Sequence, residues 1–299
     1  MILSLYGTLM NYSQINIKSG MPSMRTPCAA SNPKVYLRIV PGGPSKNLSD
    51  HRQKGKQMKK ELTRHIKRMA FSRGIDLIGI ASVERFQGAP KDHHPAEVLP
   101  GCESVISLGK RFLMGMIDTL SPAAQRLSYK HHTFAHLNAS NSQTAYEIAL
   151  FLENHGYASF VVQPTTPYEP QSRMGVISHR HAAVLAGLGV FGRNNLVLTP
   201  QFGPRNRFVS ILTRAKLIAD PLLKRDLCTK CDLCRKMCPA QAWDSKSGKY
   251  YKSECAHYQW WDRKTQECDK PCGMCIKVCP VGIKKTKKFT SSHGSVEAS

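Results

Sequence analysis

The sequence contains two cysteine runs, Cys228-Thr-Lys-Cys231-Asp-Leu-Cys234-Arg-Lys-Met-Cys238-Pro239 and Cys272-Gly-Met-Cys275-Ile-Lys-Val-Cys279-Pro280. The first run has the C-x2-C-x2-C-x3-C-P spacing by which bacterial ferredoxins hold iron–sulfur clusters. Its two-residue gaps curl three thiolates around one cluster, and its three-residue gap carries the fourth cysteine away. In two-cluster ferredoxins that fourth cysteine binds the other cluster. The spacing therefore predicts two [4Fe–4S] clusters with crossed ligation.

Crossed ligation assigns seven of the eight cluster ligands. One cluster is expected to bind Cys228, Cys231, Cys234 and Cys279, and the other to bind Cys238, Cys272, Cys275 and one upstream cysteine. The upstream ligand is open, because Asp269 stands where a regular second motif would have a cysteine. Cys255 and Cys268 are the two alternatives in the spacer.

Zinc binding and disulfide formation are the other uses of such cysteines. Paired C-x2-C units also form zinc ribbons. A tetrahedral zinc ion does not need triple cysteine runs that end in Cys-Pro, so the spacing favours clusters. Disulfides are disfavoured because the sequence shows cluster spacing and no secretory signal.

The composition is strongly basic. The 299 residues include 43 Lys plus Arg against 20 Asp plus Glu, which gives a formal charge of +23. Such a field favours nucleic acid, phosphorylated cofactors or acidic electron donors as partners, although a basic surface can also serve solubility. No apolar run approaches the roughly 18 residues of a membrane helix, so no membrane partner is expected. Met1–Met10 lacks a basic leader and a clean cleavage site, and we expect a cytoplasmic protein.

Composition and spacing divide the chain into four segments. Residues 1–57 are rich in Pro, Gly, Ser, Asn and Lys, and their only acid is Asp50, which predicts a basic, disordered extension with Met58 as an alternative start. Residues 58–220 are expected to form an α/β domain and residues 221–285 the cluster domain. Residues 286–299 are expected to form a polar tail.

Helices and strands alternate in the segment 58–220. Apolar periodicity and glycine stops predict helices over Met58–Gly74, Asn141–His155 and Ser178–Ala186. Short apolar runs predict strands over Leu77–Ala81, Ser104–Leu108, Ala158–Val162, Leu196–Thr199 and Phe208–Thr213. This alternation predicts an α/β fold.

A glycine motif follows the third predicted helix. Gly187-Leu188-Gly189-Val190-Phe191-Gly192 fits G-x-G-x-x-G. A dinucleotide site needs a strand before this motif and a helix after it, and here the order is reversed. We therefore expect the glycines to let another part of the backbone approach closely.

The stretch from Pro170 to Ala219 contains no Asp or Glu. It contains Arg173, Arg180, Arg193, Arg205, Arg207, Arg214 and Lys216, with His179 and His181. Guanidinium groups suit phosphate geometry, so this stretch is a candidate anion-binding segment. The alternative is that these cations pair with acids from other segments.

Several of these blocks together resemble a known family. They are Ser178-His179-Arg180-His181-Ala182-Ala183, Ala186-Gly187-Leu188-Gly189, Gly192-Arg193-Asn194-Asn195-Leu196 and Phe202-Gly203-Pro204, followed by the cysteine runs. The sequence from about Met58 to Lys285 is similar to the epoxyqueuosine reductases and their relatives, the reductive dehalogenases. The resemblance implies a nitroreductase-like α+β domain that binds cobalamin, followed by a small two-cluster ferredoxin-like domain.

The resemblance also implies residues and partners. Cys255 would be the eighth cluster ligand, and Cys268 would be spare. The implied cofactor contacts are His179, Arg180, Gly187, Gly189, Gly192, Arg193 and Asn194. Electrons would pass from a low-potential donor of ferredoxin or flavodoxin type through the clusters to cobalamin. The substrate of the namesake enzymes is an epoxide on a modified tRNA base, which makes tRNA a candidate partner.

Two alternatives to this activity stay open at the level of sequence. One is a ferredoxin-like electron-transfer protein without cobalamin chemistry of its own. The other is a flavin-dependent reductase with FMN as the cofactor.

The sequence departs from the namesake enzymes in its proton donor. Those enzymes use an Asp before the helix that corresponds to Asn141–His155, but no acid lies between Asp118 and Glu147 here. Reductive dehalogenases use a Tyr instead, so Tyr129 is the first candidate for a catalytic acid and His131 is the second. Bacterial epoxyqueuosine reductases also carry helical repeats after the clusters, which this sequence does not show. The identity of the substrate is therefore open.

Overall fold

This computed structural model describes residues 48–120, 126–165, 168–169, 174–244, 247–259 and 272–283. These residues belong to one unit that spans Asn47–Ser299. Most of the predicted extension, the predicted tail and Cys268 lie outside the described residues.

Helices and strands alternate along the described chain. The helices are α1 (Leu48–Ser72), α2 (Pro95–Val98), α3 (Met114–Asp118), α4 (Arg126–Lys130), α5 (Asn138–Asn154), α6 (His179–Leu185), α7 (Leu233–Lys236), α8 (Lys252–Tyr258) and α9 (Met274–Lys277). A 3-10 helix covers Val83–Phe86, and a π-helix covers His131–Leu137. The strands are β1 (Leu77–Ser82), β2 (Ser104–Arg111), β3 (Ser159–Val162), β4 (Tyr168–Glu169), β5 (Met174–Gly175), β6 (Val190–Phe191), β7 (Val197–Leu198) and β8 (Asn206–Thr213).

The central sheet has the strand order β1-β2-β8-β3, and each of its pairs is antiparallel. Ile106 of β2 lies opposite Ile80 on one side and opposite Ile211 on the other. The predicted mixture of helices and a sheet is confirmed. Because the sheet is antiparallel, the arrangement is α+β rather than the parallel α/β type that simple alternation predicts.

The two faces of the sheet are covered by different helices. On one face, Ile66 of α1 and Ile148 of α5 pack against Ile80, Ile106 and Ile211 in a fully buried cluster. On the other face, α6 contributes Ala182 and Ala186 to a cluster that includes Ala81, Val105 and Leu212. The small residues of α6 bring its backbone close to the sheet.

Glycines end the two long helices, as the sequence predicts. Gly74 after α1 has φ +73, and Gly156 after α5 has φ +83, which are left-handed values that suit glycine best. Ser178 caps α6 by accepting a hydrogen bond from the backbone N–H of His181. The main difference is that α1 begins at Leu48, well before the predicted start at Met58.

The connection between β8 and the first cysteine run is fastened to β1. The Asp220 carboxylate pairs with Lys67 Nζ at 2.5 Å and accepts a hydrogen bond from the Ile80 N–H at 2.9 Å. Arg85 donates to the carbonyl oxygens of Leu185 and Asp220 at 2.7 and 2.8 Å. These contacts fix where the chain leaves the sheet for the cysteine runs.

The two cysteine runs adopt the same local conformation. Asp232 has φ +57 and Gly273 has φ +75, and each immediately precedes a four-residue helix, α7 or α9. Gly and Asp are among the few residues that adopt the left-handed conformation readily, so the same turn recurs in both runs. Helices α7 and α9 contact each other, so the two runs lie side by side.

The turn before β8 forms the tightest contact between the sheet and the second cysteine run. Gly203, with φ +55, packs against the backbone of Val281, and Gly282, with φ +75, packs against Phe202 and Gly203. A Cβ atom at either glycine would overlap the facing backbone. Two hydrogen-bonding backbones can approach this closely only because neither glycine has a side chain.

This contact predicts the effect of adding one methyl group. We expect Gly203→Ala to lower the free energy of unfolding by at least about 3 kcal/mol, because the Cβ both clashes and sits at a left-handed φ. Gly115→Ala is the control, since nothing lies within 4 Å of a Cβ at this position in α3 and alanine favours a helix. Urea-induced unfolding measures the free energy of unfolding of both variants and of the unmodified protein. Equal stability of the two variants would contradict the prediction.

Candidate functional site

A cavity of about 630 Å³ lies beside α6, the π-helix and β8. Its volume is within the range of small-molecule and cofactor pockets. Much of its wall is apolar, including Phe86, Phe112, Phe134, Leu196, Phe208 and Ile276. Eight side chains with titratable or cationic groups also line it, and these are Arg85, His93, Tyr129, His179, Arg180, His181, Arg207 and Lys252. An apolar cavity with a few polar groups is suited to hold and orient a bound molecule.

The π-helix supplies one wall of this cavity. It continues directly from α4 and passes into α5, and it directs Thr133 and Phe134 toward the cavity. π-helices are rare and are frequent at functional sites. No sequence signal predicts this element, because the hydrophobic period of one short turn is ambiguous.

Tyr129 separates the cavity from the second cysteine run. Its side chain is 5% exposed and lines the cavity, and its ring packs on Gly273, with 3.1 Å from Cζ to a Cβ built there. Burial raises the pKa of the Tyr129 phenol well above its ordinary value, and the nearby Cys275 thiolate adds to this effect. Tyr129 therefore carries its proton at neutral pH.

Arg207 brings a positive charge to the same wall. Its Nε donates to Asn138 Oδ1 at 2.8 Å, its Nη2 donates to Thr165 Oγ1, and its guanidinium lies 4.8 Å from the Phe134 ring centre. Among the described residues, no carboxylate forms an ion pair with it. Burial lowers the pKa of Arg207, while the cation opposes the rise in the pKa of Tyr129. The charge is thus available to a phenolate or another anion in the cavity.

His179 is held in one tautomer at the first turn of α6. Its Nε2 lies 2.9 Å from the Gln163 carbonyl oxygen, which can only accept, so Nε2 carries the proton. Its Nδ1 then accepts from the Ser210 hydroxyl at 2.8 Å. Burial lowers the pKa of His179 to about 4, and the nearby Arg207 cation lowers it further in the same direction. His179 is therefore a neutral wall residue near pH 7.

Arg180 and His181 complete the polar edge of the cavity. Arg180 donates to the Asn195 carbonyl oxygen at 2.5 Å, and burial lowers its pKa while nearby Tyr250 opposes this. The His181 ring packs on Phe191 at 4.9 Å between centroids. A second cavity of about 300 Å³ shares His179 with the first and is also lined by Tyr250 and Cys255.

Four thiols from both runs meet in one small cavity. It is lined by Cys228, Cys231, Cys234 and Cys279 together with Arg193 and Asn194. Burial raises the pKa of Cys234 to about 11, and the thiolates of Cys279, Cys228 and Cys231 add to this rise in that order. The structure thus brings together the four cysteines that the spacing predicts for the first cluster.

Four other cysteines lie close enough to Cys275 to act on its pKa. Burial is the largest cause that raises the pKa of Cys275. The thiolates of Cys272, Cys255 and Cys238 raise it further, in that order, and Cys234 of the first group has a smaller effect in the same direction. Cys255, on α8, also accepts a hydrogen bond from Gln259 Nε2 at 3.1 Å. Among the described residues, Cys255 is the upstream cysteine that acts on Cys275. Its alternative Cys268 lies outside the described residues, so the eighth ligand stays a prediction.

The arrangement of the cysteine thiols suits a four-iron cluster better than a single metal ion. Within the described ranges, no three or more His, Cys, Asp or Glu side chains are gathered so as to hold a single metal ion. A four-iron cluster binds each thiolate through a different iron, so its thiols surround a volume instead of converging on a point. Two sets of four soft thiols fit this type of group.

Three other predicted site residues do not line the large cavity. His131, at the start of the π-helix, is exposed and does not line the large cavity. Arg193 and Asn194 face the first cysteine group rather than the large cavity. The Arg193 guanidinium pairs with Asp232 at 2.7 Å, and Asn194 Nδ2 donates to the Cys275 carbonyl oxygen at 3.4 Å. Both residues connect the glycine segment to the cysteine runs.

Two of the three motif glycines pack against backbone, and the third packs against side chains. A Cβ at Gly187 would overlap the Pro221 carbonyl, and one at Gly189 would overlap the Leu198 carbonyl. A Cβ at Gly192 would meet Asn194 Oδ1 at 2.7 Å. None of the three lines the large cavity in the described structure, so a cofactor contact from them stays a prediction.

The cations of the acid-free stretch have mixed partners. Arg193 and Lys216 pair with distant acids, Asp232 and Glu103, at 2.7 and 3.4 Å. Arg180 and Arg205 instead donate to backbone carbonyl oxygens. The alternative of pairing with acids from other segments therefore holds for only part of the set.

Comparisons with known proteins point to two related groups of reductases. The sequence matches no protein-family model. It is similar to the tetrachloroethene reductive dehalogenase of Desulfitobacterium hafniense, with 32% identity over 155 residues, covering 46% of this chain and 26% of the relative. The enzyme of the same description from Sulfurospirillum multivorans is 29% identical over 129 residues, covering 38% and 25%. The chain thus spans about a quarter of the curated relatives it matches.

Solved structures add epoxyqueuosine reductases to the reductive dehalogenases. An epoxyqueuosine reductase with an epoxyqueuosine-modified tRNA stem loop has a TM-score of 0.53 at 18% identity, covering 76% of this chain and 66% of that chain. An epoxyqueuosine reductase from Bacillus subtilis gives 0.52 at 18% with the same coverage. A reductive dehalogenase solved in work on B12-dependent dehalogenation gives 0.54 at 20%, covering 83% and 34%. The resemblance to these families is confirmed, and at these identities the solved structures establish the fold.

One further observation concerns membranes. In the parts of the chain that the structure describes, no helix has both the length and the apolarity to cross a lipid bilayer.

The buried neutral His179 predicts a dependence of stability on pH. Below about pH 6.5 the unfolded chain takes up a proton here, whereas the folded chain does so only near pH 4. The free energy of unfolding should therefore fall by about 2 kcal/mol as the pH falls through this window. His179→Gln keeps a donor and an acceptor but cannot titrate, so its loss should be smaller. Urea unfolding between about pH 7 and pH 4.5 tests this, and parallel curves for the two proteins would contradict it.

Proposed function

We propose that this chain is an iron–sulfur oxidoreductase that passes electrons through two [4Fe–4S] clusters to a cobalamin-type cofactor and reduces an organic substrate. The observation that supports it best is the sorting of eight thiols into two groups of four, each drawn from both sides of the spacer, beside a cavity of about 630 Å³. The reductases found in the comparisons support the same reaction class.

We assign the ligands by group. The first cluster takes Cys228, Cys231, Cys234 and Cys279, and the second takes Cys238, Cys255, Cys272 and Cys275. When bound, the clusters supply one-electron transfer, and the corrin cobalt supplies a strong reductant in the cavity. The protein holds the two thiol groups within electrostatic reach of each other, since Cys234 acts on the pKa of Cys275.

The large cavity is the site we assign to the corrin cofactor. Its apolar walls would cover a flat macrocycle and exclude water, and His179 and Arg180 supply polar contacts at the edge. The Nε2–H of the neutral His179 is already donated to the Gln163 carbonyl oxygen, so we assign the donors at this edge to the Arg180 guanidinium, which gives one of its N–H groups to Asn195. Amide oxygens and phosphate groups are acceptors that suit these donors.

Tyr129 is the residue we assign as the proton donor. Two-electron reduction of a carbon–halogen bond expels halide and leaves an electron pair on carbon, which must receive a proton. Two-electron reduction of an epoxide to an alkene expels the oxygen, which must receive protons to leave as water. The Tyr129 hydroxyl holds a proton at neutral pH because burial and the Cys275 thiolate disfavour the phenolate. After the proton leaves Oη, the Arg207 cation stabilises the phenolate until a second proton arrives from solvent. His131 is less suited, because it is exposed and outside the cavity wall.

The substrate class follows from this chemistry. A strong reductant with an adjacent acid reduces molecules that carry a leaving group, such as an organohalide or an epoxide. The curated relatives are named for tetrachloroethene, and one solved neighbour holds a tRNA stem loop. The net charge of +23 favours tRNA as a partner of the chain.

The test is made on protein purified without oxygen from cells supplied with cobalamin. We expect about eight iron and eight sulfide atoms per chain, as two four-iron clusters require, together with corrin absorbance and near-stoichiometric cobalt. Bound FMN would instead support a flavin reductase. Iron without either pigment would support an electron-transfer protein, and absence of iron and sulfide would reject the proposal. Turnover is then measured with tetrachloroethene and with an epoxyqueuosine-modified stem loop.

Tyr129→Phe tests the proton donor on whichever substrate is reduced. We expect turnover to fall about 100- to 10,000-fold while the iron and cobalt contents stay unchanged. The matched control is His131→Gln, which should retain most of the activity. Equal losses in the two variants would remove Tyr129 from its assigned role.

Serine substitutions test the eighth ligand. We expect Cys255→Ser to lose about four iron atoms, the content of one cluster, and Cys268→Ser to lose none. Iron and sulfide assays on protein prepared without oxygen measure the cluster content of each variant. The opposite pattern would assign Cys268 in place of Cys255.

A further inference from the structure

Large apolar side chains are exposed next to the first thiol group. Leu233 is 41% exposed and Met237 is 50% exposed, and their i, i+4 spacing puts them on one side of α7. Both lie within a few residues of Cys231 and Cys234. Adjacent exposed apolar residues at a functional element mark an interaction site more often than scattered ones do.

Basic residues surround this apolar pair. The segment 222–237 contains five Lys or Arg and two Asp. Both acids are already engaged, because Asp226 lies 3.9 Å from Lys230, and Asp232 contacts Arg193 and Arg235 at 2.7 and 3.6 Å. The exposed cations are Lys224, Arg225, Lys230 and Lys236. We call these four residues with Leu233 and Met237 the α7 surface.

The first thiol group contains the described cysteine that is most open to solvent. Among the described cysteines, Cys231 is exposed, and the others are half-buried or buried. The second group instead lies against Tyr129 and Tyr250, at the walls of the two cavities. Because electron transfer needs close approach, an external carrier meets the first group before the second.

We propose that the α7 surface docks an acidic one-electron carrier protein of the flavodoxin type. This inference rests on the proposed function and adds the place where electrons enter. An apolar centre inside a charged rim is the usual anatomy of a protein interface, and the net positive rim complements an acidic carrier. One electron moves from the reduced flavin of the carrier to the first cluster, so the flavin is oxidised as the cluster is reduced.

The chain offers matched controls on α1, which packs against α5 on the other face of the sheet. Met58 is 62% exposed and Lys60 is also exposed. Met58→Asp and Lys60→Glu therefore make the same chemical changes as Met237→Asp and Lys236→Glu, but away from the cysteines. None of the four residues lines a cysteine cavity.

The experiment mixes oxygen-free, cluster-loaded protein with flavodoxin hydroquinone in a stopped-flow instrument and follows the bleaching of the cluster absorbance. We expect the second-order rate constant of the Met237→Asp/Lys236→Glu variant to fall about tenfold or more, and its dependence on ionic strength to weaken. The Met58→Asp/Lys60→Glu variant should react at the unmodified rate. All proteins should be bleached to the same extent by dithionite, which needs no docking surface.

The outcomes separate this inference from the proposed function. If all variants react with flavodoxin at the same rate and dithionite bleaches each of them fully, the α7 surface is not the docking site. The proposed clusters are then unaffected. Weaker binding of a tRNA stem loop by the α7 variant, without a change in the flavodoxin rate, assigns the surface to tRNA and overturns it as a carrier site. If the unmodified protein shows no absorbance that dithionite bleaches, both the proposed function and the proposed docking site are rejected.

Discussion

The buried guanidinium of Arg205 is the contact on which the arrangement of the site depends. Arg205 is 1% exposed and donates to the carbonyl oxygens of Lys277, Cys279 and Val281 at 3.2, 2.6 and 2.9 Å. A buried cation is costly unless its hydrogen bonds are made, so β8 and the second cysteine run must stay together. The Gly203 turn allows this approach. Cys279 is thereby delivered to the thiols of the first run.

The same contact couples the large cavity to the cysteines. Because the second run is fixed to β8, its Gly273 and Ile276 become neighbours of Tyr129 and close one wall of the cavity. A residue proposed to give a proton and thiols proposed to relay electrons thus share one packed boundary. Proton and electron delivery can then meet at the same point without a moving domain.

The spacing groups Cys228, Cys231, Cys234 and Cys279 together, and the structure places these four around one cavity, while their binding of a cluster stays a prediction. The sequence also predicts the ends of α1 and α5, since Gly74 and Gly156 mark left-handed positions. It does not predict the π-helix, which has no periodic signature, or the antiparallel pairing of distant strands. Nor could it find the partners of Arg205, because backbone carbonyls about 75 residues away leave no pattern in the sequence.

The stretch from Pro170 to Ala219, which contains no Asp or Glu, places two arginines next to ionisable groups of the proposed site. Arg205 acts on Cys279 and Arg207 acts on Tyr129, and no described carboxylate forms an ion pair with either cation. A carboxylate beside either guanidinium would cancel its field locally. Arg207 favours negative charge on the Tyr129 phenol, and Arg205 favours negative charge on Cys279, although the Asp118 carboxylate also acts on Arg205. If the proposed reduction occurs, negative charge develops at both places, and a cation of the acid-free stretch stabilises it at each.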